Sequence, residues 1–262
     1  MKQFQSIKKS LGSFFHRFFL RKKNNSSKRA KLTDVEKIIY NEGERLIPGV
    51  THNEEEAVRH KSSYTFFRRI IDYDIGQESA REREGEISIV DLGCGVGHGC
   101  KTISSLQGVR MTGVDISSES IEYAHKHYGG DNIRYETSEL REYIGRMEPF
   151  DYVVSRGVFE HIHDGINLIF STKWKERLIF DVPYKEVSDN PHHVIKGISE
   201  DDFQGRENIE LFYQDLDGII YDAKHKPEIP NMIICVCSNP RLKRVSDLGI
   251  CFPIPAVKIK NS

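Results

Sequence analysis

Ile87-Ser88-Ile89-Val90-Asp91-Leu92-Gly93-Cys94-Gly95-Val96-Gly97 sets a short apolar run directly against three alternating glycines. The run has the branched side chains and the length of a buried strand. A sharp strand-to-helix turn needs glycine where the backbone takes a positive φ or where a Cβ would block a ligand. The helix behind such a turn presents unpaired N–H groups, so a nucleotide-like ligand can lie close to the chain. A second strand, residues 110–114, ends in Asp115, 18 residues past Gly97. That spacing is near the roughly 20 residues at which an acid meets ribose hydroxyls.

The pattern repeats along the chain. Further strands are expected over 132–135, 150–155 and 177–181, with helical or irregular intervals between them. Short apolar strands joined this way predict a parallel sheet covered on both faces. Ligands of such sheets bind beyond the strand C-termini, where Asp91, Asp115, Glu139, Ser155 and Asp181 all fall. Two last strands are expected over 216–221 and 231–237, with Cys235 and Cys237 on one buried face. Ser199 is expected to start a helix. Upstream, Thr33-Asp34-Val35-Glu36 fits a capping box, Asn41-Glu42-Gly43 a helix end, Pro48-Gly49 a turn, and residues 54–71 a second helix. The charged stretch 78–86 reads as exposed.

With 262 residues, 38% hydrophobic and 29% charged, the chain can bury a core. It contains no run approaching the ~20 apolar residues that cross a bilayer. Five cysteines without a CxxC pair argue against a disulfide framework and for a reducing, cytoplasmic setting. The net charge of −1 conceals a division. Residues 1–33 hold ten Lys or Arg and no acid, whereas the rest carries 39 acids against 28 bases, a formal −11. Within the leader, Phe4, Ile7, Leu11, Phe14, Phe15 and Phe18 recur at helical spacing among cations. A helix of that kind lies on an anionic membrane surface, here through residues 1–23, rather than spanning it. A tail without fixed structure, or a helix docked on protein, is the alternative. Interrupting cations and the lack of a small-residue cleavage pattern exclude a signal peptide. The expected organisation is a leader and linker over 1–31, a helical cap over 32–86, the sheet domain over 87–240 and a tail over 241–262.

The motif Asp91-Leu92-Gly93-Cys94-Gly95-Val96-Gly97, with Asp115 behind it, resembles the first motif of the class I S-adenosylmethionine-dependent methyltransferases. The resemblance covers residues 41–237 and is strongest over 89–161. It implies a Rossmann-like α/β fold, a seven-stranded and mostly parallel sheet with helices on both faces and an N-terminal helical extension. S-adenosylmethionine is the implied cofactor. By resemblance, Asp91, Gly93, Cys94, Gly95 and Gly97 hold it at the turn, and Asp115 with Ile116 at its ribose. Ser138, Glu139 and Leu140 line the adenine; Ser155 and Arg156 lie under the methyl-transfer site. A narrower set, Glu44-Arg45-Leu46-Ile47-Pro48-Gly49, Glu56 with His60 and Tyr64, Glu160-His161 and Asn190-Pro191-His192-His193, resembles methyltransferases of bacterial surface-polysaccharide and glycan biosynthesis. Relatives of ubiquinone-pathway O-methyltransferases share it. The first two segments would help cover the cofactor cleft. The chain departs from the pattern at Ser63, at Arg156-Gly157 and over Trp174–Arg177, which weakens any transfer of an exact acceptor.

Methyl transfer to a hydroxyl benefits from a base, and histidine titrates in the right range. His161, just past the fourth strand, is the first candidate, with Glu160 to orient it or bind a hydroxyl. A backbone hydrogen bond or cap is the competing role. Tyr184, Asn190, His192 and His193 are candidate acceptor contacts, His193 being nearly as well suited to holding its loop. No interval among His161, His163, His192 and His193 matches a compact zinc signature, so no metal is expected. The expectation is O-methylation of a saccharide, glycan-linked or other small hydroxylated acceptor, in the cytoplasm or peripherally on the membrane's cytoplasmic face. The rivals are an RNA or protein methyltransferase and a noncatalytic cofactor-binding membrane module. The acidic body and the lack of aromatic–basic repeats argue against nucleic acid as a partner.

Overall fold

The computed structural model describes residues 32–41, 45–50, 54–78, 85–188 and 190–258. The basic leader, with its membrane reading, and Glu44 lie outside the described residues.

Helix α1 (Asp34–Asn41) and the long α2 (Glu54–Glu78) precede the sheet. β1 (Ile87–Leu92) then leads through the glycine turn into α3 (His98–Ile103). β2 (Val109–Asp115), α4 (Ser118–Tyr128), β3 (Ile133–Thr137) and α5 (Leu140–Arg146) follow in alternation. β4 (Phe150–Arg156), a 3-10 turn over Phe159–His161, α6 (Gly165–Phe170) and β5 (Trp174–Pro183) complete the parallel part. After a 3-10 turn at Glu200–Phe203 come β6 (Ile209–Gln214), β7 (Ile220–Asp222) and β8 (Met232–Ser238).

The strands lie in the order β3-β2-β1-β4-β5-β8-β6-β7. The first five run parallel, and β8 enters antiparallel between β5 and β6. The sheet therefore has eight strands, where seven were expected. β6 escapes the sequence reading because Glu207, Asn208 and Glu210 mask its start. The apolar run 216–221 mostly forms a turn instead of a strand: Asp215 Oδ1 accepts from Asp217 N (3.0 Å) and Ile219 N (2.9 Å). Only its end contributes to β7, a hairpin partner of β6.

Alternation along the strands supplies two cores. Ile87 and Ile89 face Phe67, Ile70 and Ile71 of α2, and Val90 and Leu92 face the side packed by α5 and α6. Cys235 and Cys237 sit on that second face as free thiols, their sulfurs 3.8 Å apart. Residues beyond 240 also pack on the body. Val245 is fully buried, Phe252 stacks on Phe212, and Ile254 bridges to Ile220. A buried ion pair fastens α2 to β5: Arg177 Nε and Nη2 donate to the two oxygens of Asp74 at 2.7 and 2.9 Å.

Candidate functional site

The glycine turn opens at the carboxyl end of the sheet. Gly95 has φ of 52° and donates its N–H to Asp115 Oδ2 at 2.9 Å. A Cβ built on Gly95 meets nothing within 4 Å, so the space above the turn can take a ligand. Gly97 is constrained differently. Its φ is 86°, and a Cβ there would stand 2.5 Å from the Tyr135 hydroxyl and 2.8 Å from Ala124.

Asp91, at the end of β1, is fully buried. Tyr64 of α2 donates its hydroxyl to Asp91 Oδ2 at 3.0 Å. Burial raises the Asp91 carboxyl to about 7, because loss of water outweighs the hydrogen bonds from Tyr64 and Cys100. No cation pairs with it among the described residues. His98, the first residue of α3, has both ring nitrogens buried without a hydrogen-bond partner. Its imidazole lies against Tyr64, His60 and Tyr128, and burial holds its pKa well below the usual value. The sequence reading did not single out His98; its position immediately after the third glycine was the available signal.

Asp115, ending β2, is heavily engaged. Its Oδ1 accepts from Ser117 N at 2.9 Å and from Arg45 Nη2 and Nε at 3.0 and 3.2 Å. Arg45 belongs to a cover over the turn, where Ile39, Ile47 and Val96 form a small apolar cluster. Ile116 is 62% exposed beside the acid, an apolar surface next to the turn. The other residues of the expected cofactor set are placed less openly. Glu139 caps α5 by accepting from Glu142 N at 2.9 Å, and Ser138 Oγ donates to Glu139 O at 3.2 Å. The side chains of Cys94 and Leu140 turn into the two cores. Ser155 spends its hydroxyl on Leu92 O at 2.7 Å, tying β4 to β1.

Arg156 anchors a polar cluster under the first turns of α2. Its Nη1 donates to His60 Nε2 at 2.6 Å, and Nη2 to Glu56 Oε1 at 3.3 Å. Burial, reinforced by the Arg156 charge, lowers His60 to about 4, so its ring is neutral and accepts from the guanidinium. Burial opposes ionisation of Glu56, but the Arg156 charge beside it, with that of Arg59, holds its carboxyl well below the usual range. Asp181 closes the cluster by accepting from Ser63 Oγ at 2.7 Å and from Gly157 N at 3.0 Å. Burial raises it to about 6, against the Arg156 charge. The departures Ser63 and Arg156-Gly157 thus meet on one carboxylate.

A third group lies past β4. His161 Nδ1 donates to the His192 carbonyl at 2.9 Å, and the His161 and His193 rings pack edge to face with centroids 4.7 Å apart. His193 Nδ1 is hydrogen-bonded to Glu186. The carbonyl of Glu160 accepts from Val194 N and Ile195 N, both at 2.9 Å, so the loop carrying His192 and His193 is pinned to β4's exit. His192 contributes its backbone here while its side chain is exposed. Asn190 Oδ1 shapes the loop by accepting from His192 N at 3.0 Å. Tyr184 belongs elsewhere: its hydroxyl donates to Glu200 at 3.0 Å and accepts from Lys226 at 2.7 Å.

Comparison with known proteins finds methyltransferases. Residues 89–172 match the family described as "Methyltransferase domain". The ubiquinone biosynthesis O-methyltransferase of Actinobacillus pleuropneumoniae is 28% identical over 92 residues, 32% of this chain and 39% of that protein. Phosphoethanolamine N-methyltransferase 2 of Caenorhabditis elegans is 31% identical over 80 residues, 29% of this chain and 18% of that protein. The chain therefore spans well under two-thirds of the length of these relatives. A SAM-dependent methyltransferase structure from Archaeoglobus fulgidus aligns at TM-score 0.45 and 14% identity, over 66% of this chain and 94% of that one. Over residues 89–172 the chain thus carries a methyltransferase domain.

Proposed function

We propose that the protein transfers a methyl group from S-adenosylmethionine to a hydroxyl of a small or glycan-linked acceptor. The observation that carries this reading is the set of unfilled demands around one turn. Among the described residues, Asp91 is buried without a cation, His98 has two ring nitrogens without a hydrogen-bond partner, and nothing stands within 4 Å of a Cβ at Gly95. These residues fit the cofactor's amino-acid end, which brings an ammonium and a carboxylate. The ribose falls to Asp115 Oδ2, and the exposed Ile116 suits one face of the adenine.

When bound, the cofactor supplies an electrophilic methyl on a positively charged sulfonium. The chain's part is to hold the acceptor in line, exclude water and take the hydroxyl proton. His161 suits the last task. Its Nδ1–H is fixed by the His192 carbonyl, which places the neutral ring's lone pair on Nε2. Oxygen is favoured over nitrogen as the methylated atom by that base. The similarity to an O-methyltransferase of ubiquinone biosynthesis supports the same choice, although an N-methyltransferase also aligns. A saccharide acceptor is supported by the glycan-associated sequence set, in which Arg45, His60, Tyr64, His161 and His193 all gather at the carboxyl end of the sheet.

The test is incubation of the protein with isotope-labelled S-adenosylmethionine and acceptor extracts, followed by mass spectrometry. A labelled saccharide or other alcohol is expected. Label on RNA, on protein or on amines alone would overturn the acceptor class, and label nowhere would leave a cofactor-binding module as the better account.

A further inference from the structure

The geometry points to a divalent transition-metal site, absent from the methyl-transfer reading, formed by Glu160, His161 and His193. One carboxylate oxygen and one nitrogen from each imidazole all lie within 4.8 Å of one another. Ligands ~2.0–2.2 Å from a shared zinc ion sit roughly 3–3.5 Å apart in a tetrahedron. Side-chain adjustments on the order of 1 Å would therefore close the set. Sequence spacing hid this site, because two ligands are adjacent at 160–161 and the third arrives from a loop 32 residues later.

Two features separate this cluster from a chance meeting of polar side chains. The first is outer support. His161 gives its Nδ1 to the His192 carbonyl, and His193 gives its Nδ1 to the Glu186 carboxylate. Metal-binding histidines are held in this way, with one nitrogen on a carbonyl or carboxylate and the other turned to the ion. The second is an unmet demand. Glu160 is buried, and its Oε2 has no hydrogen-bond partner among the described residues. An orphaned carboxylate oxygen beside two imidazoles is the donor set that His₂Glu zinc sites use.

Three protein ligands leave a coordination position for water or an acceptor oxygen, so the ion would take oxygen-bearing acceptors such as alcohols and diols. Binding of the ion itself does not depend on the methyl-transfer reading. Its catalytic use does: in the loaded protein Nε2 of His161 holds the cation instead of taking the proton. A hydroxyl bound at the open position then loses its proton to water, acidified by the metal.

The experiment uses the full chain after chelator dialysis, without cofactor or acceptor. Zn²⁺ is titrated by calorimetry, and Co²⁺ is followed by its visible ligand-field absorption. One equivalent per chain is expected, with a tetrahedral or five-coordinate cobalt spectrum. Glu160→Gln and His193→Ala should each weaken binding at least tenfold, and Glu186→Gln by about tenfold through loss of outer support. His192→Ala should leave it unchanged, since that residue offers its carbonyl. Circular dichroism and thermal unfolding verify that each variant is folded. Binding by wild type no tighter than by folded His193→Ala, or no cobalt spectrum, would overturn the site. The labelled-methyl assay reports separately: stoichiometric metal binding with no methyl transfer would count against the methyltransferase reading alone.

Discussion

Burial disfavours the Asp91 carboxylate until a cation reaches it, and that gives cofactor binding a pH dependence. Its folded-state pKa is raised to about 7, with Tyr64, Cys100, Asp115 and Asp181 as the groups around it. A cofactor ammonium favours the carboxylate, so binding below pH 7 must expel a proton. Affinity should rise between pH 6 and 8, by at most about tenfold per unit, and calorimetry in buffers of different ionisation enthalpy should register the proton. The same shift costs stability: the folded cofactor-free chain binds more protons here than the unfolded chain. This contribution is favourable below about pH 4 and is lost as pH rises towards 7. Asp91→Asn should therefore stabilise the cofactor-free protein at pH 8 in thermal unfolding, by a few kcal/mol at ~1.4 per unit, while lowering cofactor affinity at least tenfold. A variant no more stable than wild type would contradict the raised pKa. His161→Gln addresses the acceptor side, where kcat should fall at least a hundredfold with cofactor affinity unchanged within about twofold. Much of this scale was readable: Asp91, Gly95 and Asp115 stand out because strand end and turn are contiguous. Arg45 on Asp115 was not, because 70 residues separate them and only the fold joins them.

At the scale of elements, α2 does several tasks with one face. Glu56, His60 and Ser63 reach the Arg156–Asp181 cluster, Tyr64 reaches Asp91, and Asp74 meets Arg177. Glu56, His60 and Ser63 are four and three residues apart, Tyr64 is four past His60, and Asp74 is eleven, about three turns, past Ser63, so all lie on one side. The helix was legible over 54–71 from its apolar positions, but its last turns carry Asp72 and Asp74 and look solvated in sequence. The same physics hid the start of β5, where Lys175, Glu176 and Arg177 interrupt the apolar pattern. Arg177 is fully buried, its charge matched by Asp74. Breaking such a pair leaves an uncompensated buried charge, so Asp74→Ala should destabilise the protein by about 3–5 kcal/mol in urea unfolding. A loss below about 1 kcal/mol would mean that the pair is solvated in solution.

For the whole molecule, the charge division gives the leader a role to be tested on its own. No helix among the described residues is long and apolar enough to cross a membrane. We propose that the cationic, apolar pattern of residues 1–23 attaches the protein to an anionic membrane surface. We expect deletion of residues 1–30 to abolish sedimentation with vesicles containing anionic lipid and to lower activity on a vesicle-bound acceptor. Unchanged sedimentation and activity would contradict membrane attachment through the leader. Sheet class and direction could be read from alternating strands and turns, whereas β6 could not, since Glu207, Asn208 and Glu210 break the apolar pattern at its start. The packing of residues 241–258 was equally hidden, because Val245 and Phe252 are isolated apolar residues in a polar stretch.

The most direct test is calorimetric titration of the folded full chain with S-adenosylhomocysteine, the demethylated cofactor, beside Asp91→Ala and Asp115→Ala. The cradle predicts one molecule bound per chain at micromolar or tighter Kd, weakened at least tenfold in each variant. A folded wild-type protein that binds neither this product nor S-adenosylmethionine, or variants that bind as well as wild type, would contradict it.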